Sequence, residues 1–323
     1  MTMRGSYTQR RMCWTHPFRT DEPMADLDEL KALLGPRLKQ HEPLRLHTSF
    51  RIGGPADALA LVKDSAELKA CLDWAAEAAL PVFVLAAGTN LLVRDGGLRG
   101  LAVKLEGEFK EVAIDGVRVR AGAGALLAAV ARRAGERGLS GLEWAVGIPG
   151  TLGGGLVMNA GAHGGDLAQV VRKLGLLEGG ELCEIPAADA GFGYRSSRFK
   201  AGGALLLWAE LELKPGDPLE IQARMREALD RRKASQPLEL PNAGCVFKNP
   251  AGDSAGRLIE AAGLKGLRHG GAEISEMHAN FVVNRGDASA ADVLWLMEEA
   301  RKAVMAKSGI RLENEVMVLG EEA

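Results

Sequence analysis

Charge of one sign is missing from this sequence. Forty Lys and Arg stand against 42 Asp and Glu, a formal net charge of −2. A protein that neutralises many phosphates carries a clear basic excess, so nucleic acid is not expected as a partner. Long apolar runs are missing too. The longest, such as Ala204 to Ala209, fall far short of the roughly 20 residues of a membrane span, and no membrane partner is expected. Cysteine is scarce: Cys13, Cys71, Cys183 and Cys245 lie far apart and form no C-x-x-C. That argues against a disulfide framework and for a reducing, cytoplasmic setting. The six histidines show neither H-E-x-x-H nor clustered ligand spacing, so no protein-bound metal is expected. Met1 to Pro23 has no apolar core like that of a signal peptide, and secretion is not indicated.

What is present is glycine, 41 of 323 residues, clustered beside apolar segments and not in Ser-rich tracts. Glycine in that setting brings backbone close to another segment or to a ligand. The length suits two domains. Residues 1–23 read as a disordered or mis-assigned extension. Residues 24–214 read as an α+β first domain, with helices at Asp26–Leu34, at a segment capped by Ser65, and at Leu126–Arg137. Its strands alternate with these and then dominate through Leu213. Lys214-Pro215-Gly216-Asp217-Pro218 is the clearest break in the chain. Residues 215–323 then read as a smaller α/β domain with helices at Leu219–Lys233, Ser254–Ala262 and Ala290–Ser308, and short strands between them, one at Glu315–Leu319.

Three glycine segments invite a ligand reading. Gly122-Ala123-Gly124 follows a strand and opens a helix as a dinucleotide-binding turn does. Leu127 is too bulky for that motif's third small position, so a plain strand-to-helix turn is the better reading. There is no G-K-[ST] and hence no P-loop. Ala86-Ala87-Gly88-Thr89-Asn90 leaves a buried strand through small residues, and its successive N–H groups could form an anion-binding nest. Gly147-Ile148-Pro149-Gly150-Thr151-Leu152-Gly153-Gly154-Gly155 packs five glycines into nine residues among apolar neighbours, which favours a ligand cradle over a flexible surface loop.

Paired, Ala86 to Val93 and Gly147 to Gly154 resemble the flavin cradle of the vanillyl-alcohol-oxidase-like FAD fold. Four further stretches narrow the likeness: Thr48-Ser49-Phe50-Arg51-Ile52-Gly53-Gly54-Pro55-Ala56, Phe192-Gly193-Tyr194-Arg195-Ser196-Ser197, Gly244-Cys245-Val246-Phe247-Lys248-Asn249-Pro250, and His278-Ala279-Asn280-Phe281-Val282-Val283-Asn284. From about His47 to Gly320 the chain resembles the UDP-N-acetylenolpyruvoylglucosamine reductase family. About fifty residues separate Arg195 from Cys245, which fits the branch without an inserted, tyrosine-bearing loop.

That resemblance implies a vanillyl-alcohol-oxidase-like FAD-binding domain followed by a substrate domain. It also implies non-covalent FAD, NADPH as hydride donor, and a UDP-sugar substrate for peptidoglycan precursor synthesis. Hydride reaches C3 of an enolpyruvyl ether, charge develops towards its carboxylate, and a proton is needed at C2. The implied residues are Arg195 as carboxylate clamp, Glu315 (chosen over Glu313) as second stabiliser, and Cys245 as proton donor where the family more often has serine. Arg51, Ala87, Gly88, Thr89, Asn90, Leu91, Gly147, Ile148, Pro149, Gly150, Thr151, Gly153, Gly154, Asn159 and Gly161 fall to the cofactor. Tyr194, Arg232, Lys248, Asn249, Lys265 and His278 fall to the substrate. Positive charge from Arg195 and Lys248 is expected to lower the Cys245 pKa. The competing readings are another FAD-dependent oxidase or dehydrogenase of the same fold, and a binding protein that kept the scaffold without the chemistry.

Overall fold

In the computed structural model residues 26–323 are described; the expected N-terminal extension lies outside them. The chain enters through helix α1 (Asp28–Leu34) and strand β1 (Leu38–Pro43). The parallel-strand unit follows: β2 (Pro55–Val62), helix α2 (Ser65–Glu77) and β3 (Val82–Val84). The α2 cap is Asp64, whose carboxylate accepts the Glu67 N–H, one residue before the serine expected from sequence. After β4 (Leu91–Val93), β5 (Leu98–Leu105) inserts between β2 and β3, parallel to both, and gives a four-stranded sheet ordered β1-β2-β5-β3.

A five-stranded antiparallel sheet completes the first domain. It is built from β6 (Val112–Asp115), β7 (Arg118–Gly122), β8 (Val171–Glu178), β9 (Glu181–Pro186) and β10 (Ala204–Glu212), in the order β9-β8-β10-β7-β6. Helix α3 (Leu127–Glu136) and the short α4 (Leu152–Val157) lie between β7 and β8 in the chain. One apolar core joins both sheets to α1, α2 and α3.

Helix α5 (Pro218–Ser235) corrects the expected domain boundary. At Lys214–Pro218 a two-residue strand, Lys214–Pro215, gives way to the helix, which Asp217 caps. Yet α5 buries Ile221, Met225 and Ala228 in the first core, and Arg224 pairs with the buried Glu143 at 2.8 Å. Beyond α5, the chain from Ala243 onward joins a separate core. The first packed unit therefore runs through α5. The reason is that an amphipathic stripe shows that a helix has a buried face, not which core covers it.

The second domain is an antiparallel sheet of β11 (Asn242–Cys245), β12 (Arg268–His269), β13 (Ala272–Ile274) and β14 (Phe281–Asn284), ordered β11-β14-β13-β12, with α6 (Ala255–Ala261) and α7 (Ala290–Ser308). In α7, Ser289 and Asp292 form a reciprocal capping box, Ala290, Val293, Leu296, Met297, Ala300 and Val304 are buried, and Gly309 ends it in the left-handed region at φ 70°.

Two connections lock the domains together. Ser49 donates to Asn242 O at 2.6 Å, Asn284 donates to Phe50 O at 3.0 Å, and Phe50 and Ile52 are buried in the second core. The last strand, β15 (Met317–Leu319), crosses back and pairs in parallel with β4, Met317 opposite Leu91. Among the described residues no helix is long and apolar enough to cross a membrane.

Candidate functional site

The two glycine segments singled out in the sequence meet face to face. Thr151 caps α4 by accepting the Gly154 N–H, and the Thr89 hydroxyl reaches Pro149 O at 3.3 Å. A Cβ at Gly154 would stand 3.2 Å from the Ala86 Cβ, one at Gly153 2.9 Å from the Ala123 Cβ, and one at Gly150 2.9 Å from the Thr89 hydroxyl. Glycine here lets backbone approach backbone and leaves an open cleft of about 450 Å³. Ala87, Thr151, Gly153 and Gly154 line it, as does the Ala123–Ala125 turn. The sequence had marked that turn as merely structural. Its glycines do serve packing, since a Cβ at Gly122 would strike Phe109 O at 2.1 Å, but its small side chains also form the cleft wall. An extended, small-residue cleft beside a turn of successive N–H groups fits a dinucleotide such as FAD.

Several residues assigned to the cofactor have other work. Gly88 is closed onto the chain, with His47 O only 2.2 Å from where its Cβ would be. The Leu91 side chain is core. Asn90 donates to Glu315 O at 3.2 Å and accepts from Met317 N, so it fixes the strand that follows Glu315. Asn159 is buried, donates to Gly193 O and accepts the Ala168 N–H, so its amide is spent on backbone. Gly161 offers its carbonyl to Arg195, and Gly147 lies against Arg232. Ile148 packs against the first core. The Arg51 guanidinium is exposed and makes no hydrogen bond among the described residues, although Arg51 itself sits at φ 54° in the turn linking the domains.

Arg195 sits at the tip of a hairpin in which Gly193 and Ser196 exchange backbone hydrogen bonds, at φ 52°, a conformation non-glycine residues rarely adopt. Ser197 anchors this hairpin to the end of α4 by donating to Val157 O at 2.7 Å. The guanidinium then donates from Nε to Glu315 Oε1 at 2.7 Å and from Nη2 to Gly161 O at 3.1 Å. Tyr194 is exposed, its ring 5.3 Å from the Arg195 guanidinium carbon.

Glu315 and Glu313, two apart, part ways. Glu313 is exposed and pairs with Lys248 at 3.1 Å, whereas the Glu315 side chain is only 16% exposed and pairs with Arg195. Burial pushes the Glu315 carboxyl above its usual range despite Arg195. Cys245 at the end of β11 feels Glu315, Arg195 and Arg232. Here the sequence expectation has the wrong sign. Burial, then the Glu315 carboxylate, push the thiol up to about 12, outweighing Arg195 and Arg232. Asn280, left without a role in the sequence reading, holds the segment after Cys245, since its buried amide both donates to and accepts from the Phe247 backbone.

Arg232, at the end of α5, is partly buried and has no ion pair among the described residues; burial lowers its pKa. An unpaired cation beside Cys245 suits an anionic ligand group. Asn249, Lys265 and His278 do not join this centre by any hydrogen bond or ion pair among the described residues. Asn249 accepts the Ala255 N–H at the start of α6, and Lys265 pairs with Glu260 at 2.8 Å. His278 accepts the Asn280 N–H, and burial followed by Lys265 lowers its pKa.

Two family models match separate parts of the chain. Residues 56–184 match the FAD binding domain family, and residues 236–319 match the C-terminal domain of UDP-N-acetylenolpyruvoylglucosamine reductase. The second match starts where α5 ends. UDP-N-acetylenolpyruvoylglucosamine reductase 2 of Symbiobacterium thermophilum is 52% identical over 285 residues, 88% of this chain and 92% of the relative. The Clostridioides difficile reductase is 43% identical over 88% of this chain and 94% of its own length. Among solved structures, the reductase from Thermus caldophilus aligns with TM-score 0.77 at 40% identity, over 86% of this chain and 97% of that one.

Proposed function

The chain belongs to the UDP-N-acetylenolpyruvoylglucosamine reductase family, an FAD-binding oxidoreductase acting on an enolpyruvyl C=C bond, and on that premise we propose that Arg195, Glu315 and Cys245 carry the chemistry. The substrate is the enolpyruvyl ether of UDP-N-acetylglucosamine and the product UDP-N-acetylmuramate. FAD, when bound, would supply the redox chemistry between NADPH and C3 of the enolpyruvyl group. Ala87, Thr151, Gly153 and Gly154, which line the cleft, would hold it.

The protein's own task is to bind the carboxylate and bear the charge that develops next to it. Arg195 spends Nε on Glu315 and one Nη2 bond on Gly161, which leaves guanidinium donors for a substrate carboxylate. Its strained backbone and fixed partners preorganise that clamp, so little reorganisation is needed as charge moves onto the carboxylate. Glu315 holds the guanidinium on that charge through its ion pair with Nε, while burial raises its carboxyl pKa. Cys245 gives its proton to C2; a thiol pushed up to about 12 is fully protonated at neutral pH and so always loaded. Arg232, whose charge acts on Cys245, serves as a counter-charge for the anionic substrate.

The observation that carries the reading is the Arg195–Glu315 pair beside Cys245. These three groups come from three distant segments; Ser197 ties the Arg195 hairpin to Val157, which lines the glycine cleft, and Asn90 of the adjoining turn holds the Glu315 carbonyl. The test is anaerobic. Purified yellow protein is bleached by NADPH, and the enolpyruvyl substrate is then added. Return of the yellow colour without oxygen supports the reductase; recovery only on admitting oxygen points to an oxidase of the same fold. Failure to bleach removes NADPH as the donor.

A further inference from the structure

Lys104 is used by none of these steps. It is the penultimate residue of β5, the middle strand of the parallel set β2-β5-β3, and lines the cleft with Ala86, Ala87, Thr151 and Gly154. Parallel α/β sheets bind ligands at the carboxyl ends of their strands, where Lys104 lies. The side chain is half-buried, and burial lowers its pKa. No carboxylate pairs with it among the described residues. Glu106, whose charge it also feels, is taken by Lys110.

Its hydrogen-bond partner is His47, with Nδ1 3.4 Å from the ammonium. The other ring nitrogen, Nε2, is held by Glu42 Oε1 at 2.8 Å, and Glu42 is also paired with Lys39. With Nε2 donating to Glu42, Nδ1 is left to accept from Lys104. The same residue abuts the Ala86–Asn90 turn. The His47 carbonyl is the atom a Cβ on Gly88 would meet, and Ser49 N–H donates to Gly88 O at 3.1 Å. His47 therefore couples the ammonium to the turn whose N–H groups suit a diphosphate.

A half-buried cation with a ring nitrogen for partner, at the rim of an anion-binding turn, is short of one negative charge. We propose that Lys104 is the counter-charge for the diphosphate of the flavin dinucleotide, held in position by the Glu42–His47 pair. This rests on the assignment of the glycine-lined cleft to FAD.

Flavin-stripped protein titrated with FAD, and separately with riboflavin, provides the test, read as quenching of flavin fluorescence. Riboflavin has the same ring and ribityl chain but no phosphate. In Lys104→Met the Kd for FAD rises about 10- to 100-fold, the range for losing a charged hydrogen bond, while riboflavin binding is unchanged. Lys104→Arg restores most of the FAD affinity. His47→Gln, which keeps the lysine but loses its support, gives an intermediate loss confined to FAD.

Equal losses for both flavins, or unchanged FAD affinity in Lys104→Met, overturn the proposal. So does a raised KM for NADPH with FAD affinity intact, which assigns the lysine to the other dinucleotide. If Lys104→Met does not fold, as judged by circular dichroism, the FAD-to-riboflavin affinity ratio in Lys104→Arg and His47→Gln decides: a changed ratio supports the proposal and an unchanged one overturns it. Failure of the cleft assignment shows separately, as Gly154→Val protein binding both flavins as tightly as the parent.

Discussion

The thiol of Cys245 gives the sharpest quantitative expectation. A free thiol ionises near about 8.5, so at pH 8 about a quarter is thiolate. With its pKa pushed up to about 12, Cys245 is thiolate to only about one part in 10⁴ at that pH, roughly two-thousandfold less. Since only the thiolate is alkylated, iodoacetamide modification of Cys245, followed by peptide mass spectrometry, should keep climbing tenfold per pH unit through pH 10 without a plateau. Poor access would slow the reaction equally at every pH; the slope separates the two causes. The neighbours should act by sign. Glu315→Gln removes a negative charge that holds the proton on and should bring the plateau to lower pH, whereas Arg195→Met should move it higher. In parallel, flavin reoxidation by substrate should show the same alkaline limb in wild type and Cys245→Ser, because no thiol ionises in the working range. A plateau below pH 9, or a limb lost only in the serine variant, would refute the account of burial and Glu315 as the dominant influences.

Other expectations are simpler to test. Arg195→Ala should leave reduction of FAD by NADPH largely intact in stopped flow while slowing reoxidation by substrate about 10²- to 10³-fold; equal damage to both halves would count against the clamp. Gly154→Val should yield colourless or faintly yellow protein, because even a Cβ meets Ala86 at 3.2 Å, and a full flavin spectrum would take α4 out of the site. Asn159→Ala removes the partly buried hydrogen bonds to the Gly193 carbonyl and from the Ala168 N–H. It should cost about 1–3 kcal/mol in denaturant unfolding and depress turnover with it, since Gly193 sets the Arg195 hairpin; unchanged stability would mean that solvent replaces the amide.

What could be read from the sequence was local. The α7 helix was legible end to end because its cap, its apolar spacing and its terminal glycine agree. The glycines at 147–155 were legible because that density has few structural uses. Arg195 and Glu315 were marked by resemblance, and their 2.7 Å contact joins positions 120 residues apart. What failed depended on long-range packing. The docking of α5 on the first core and the sign of the Cys245 shift are both set by partners distant in sequence. Burial of the thiol in particular has no local signature. Lys104 and His47 read as ordinary strand and loop residues; the β2-β5-β3 sheet brings Lys104 to the cleft, and His47 meets its ammonium.

The return of β15 to β4 has a consequence for the order in which the protein is made. Leu91 to Val93 are synthesised early, yet their parallel partner Met317–Leu319 follows only after the whole second domain. The second domain is thus spliced, in topological terms, between two parts of the first, and Glu315 arrives only with the closing strand. A nascent chain cannot assemble its charge centre until the closing strand has been made, and a chain cut before Met317 loses a strand that belongs to the first domain. Separate expression of residues 26–235 should accordingly give a first domain with one strand unpaired and apolar Leu91 and Val93 uncovered, a species prone to self-association.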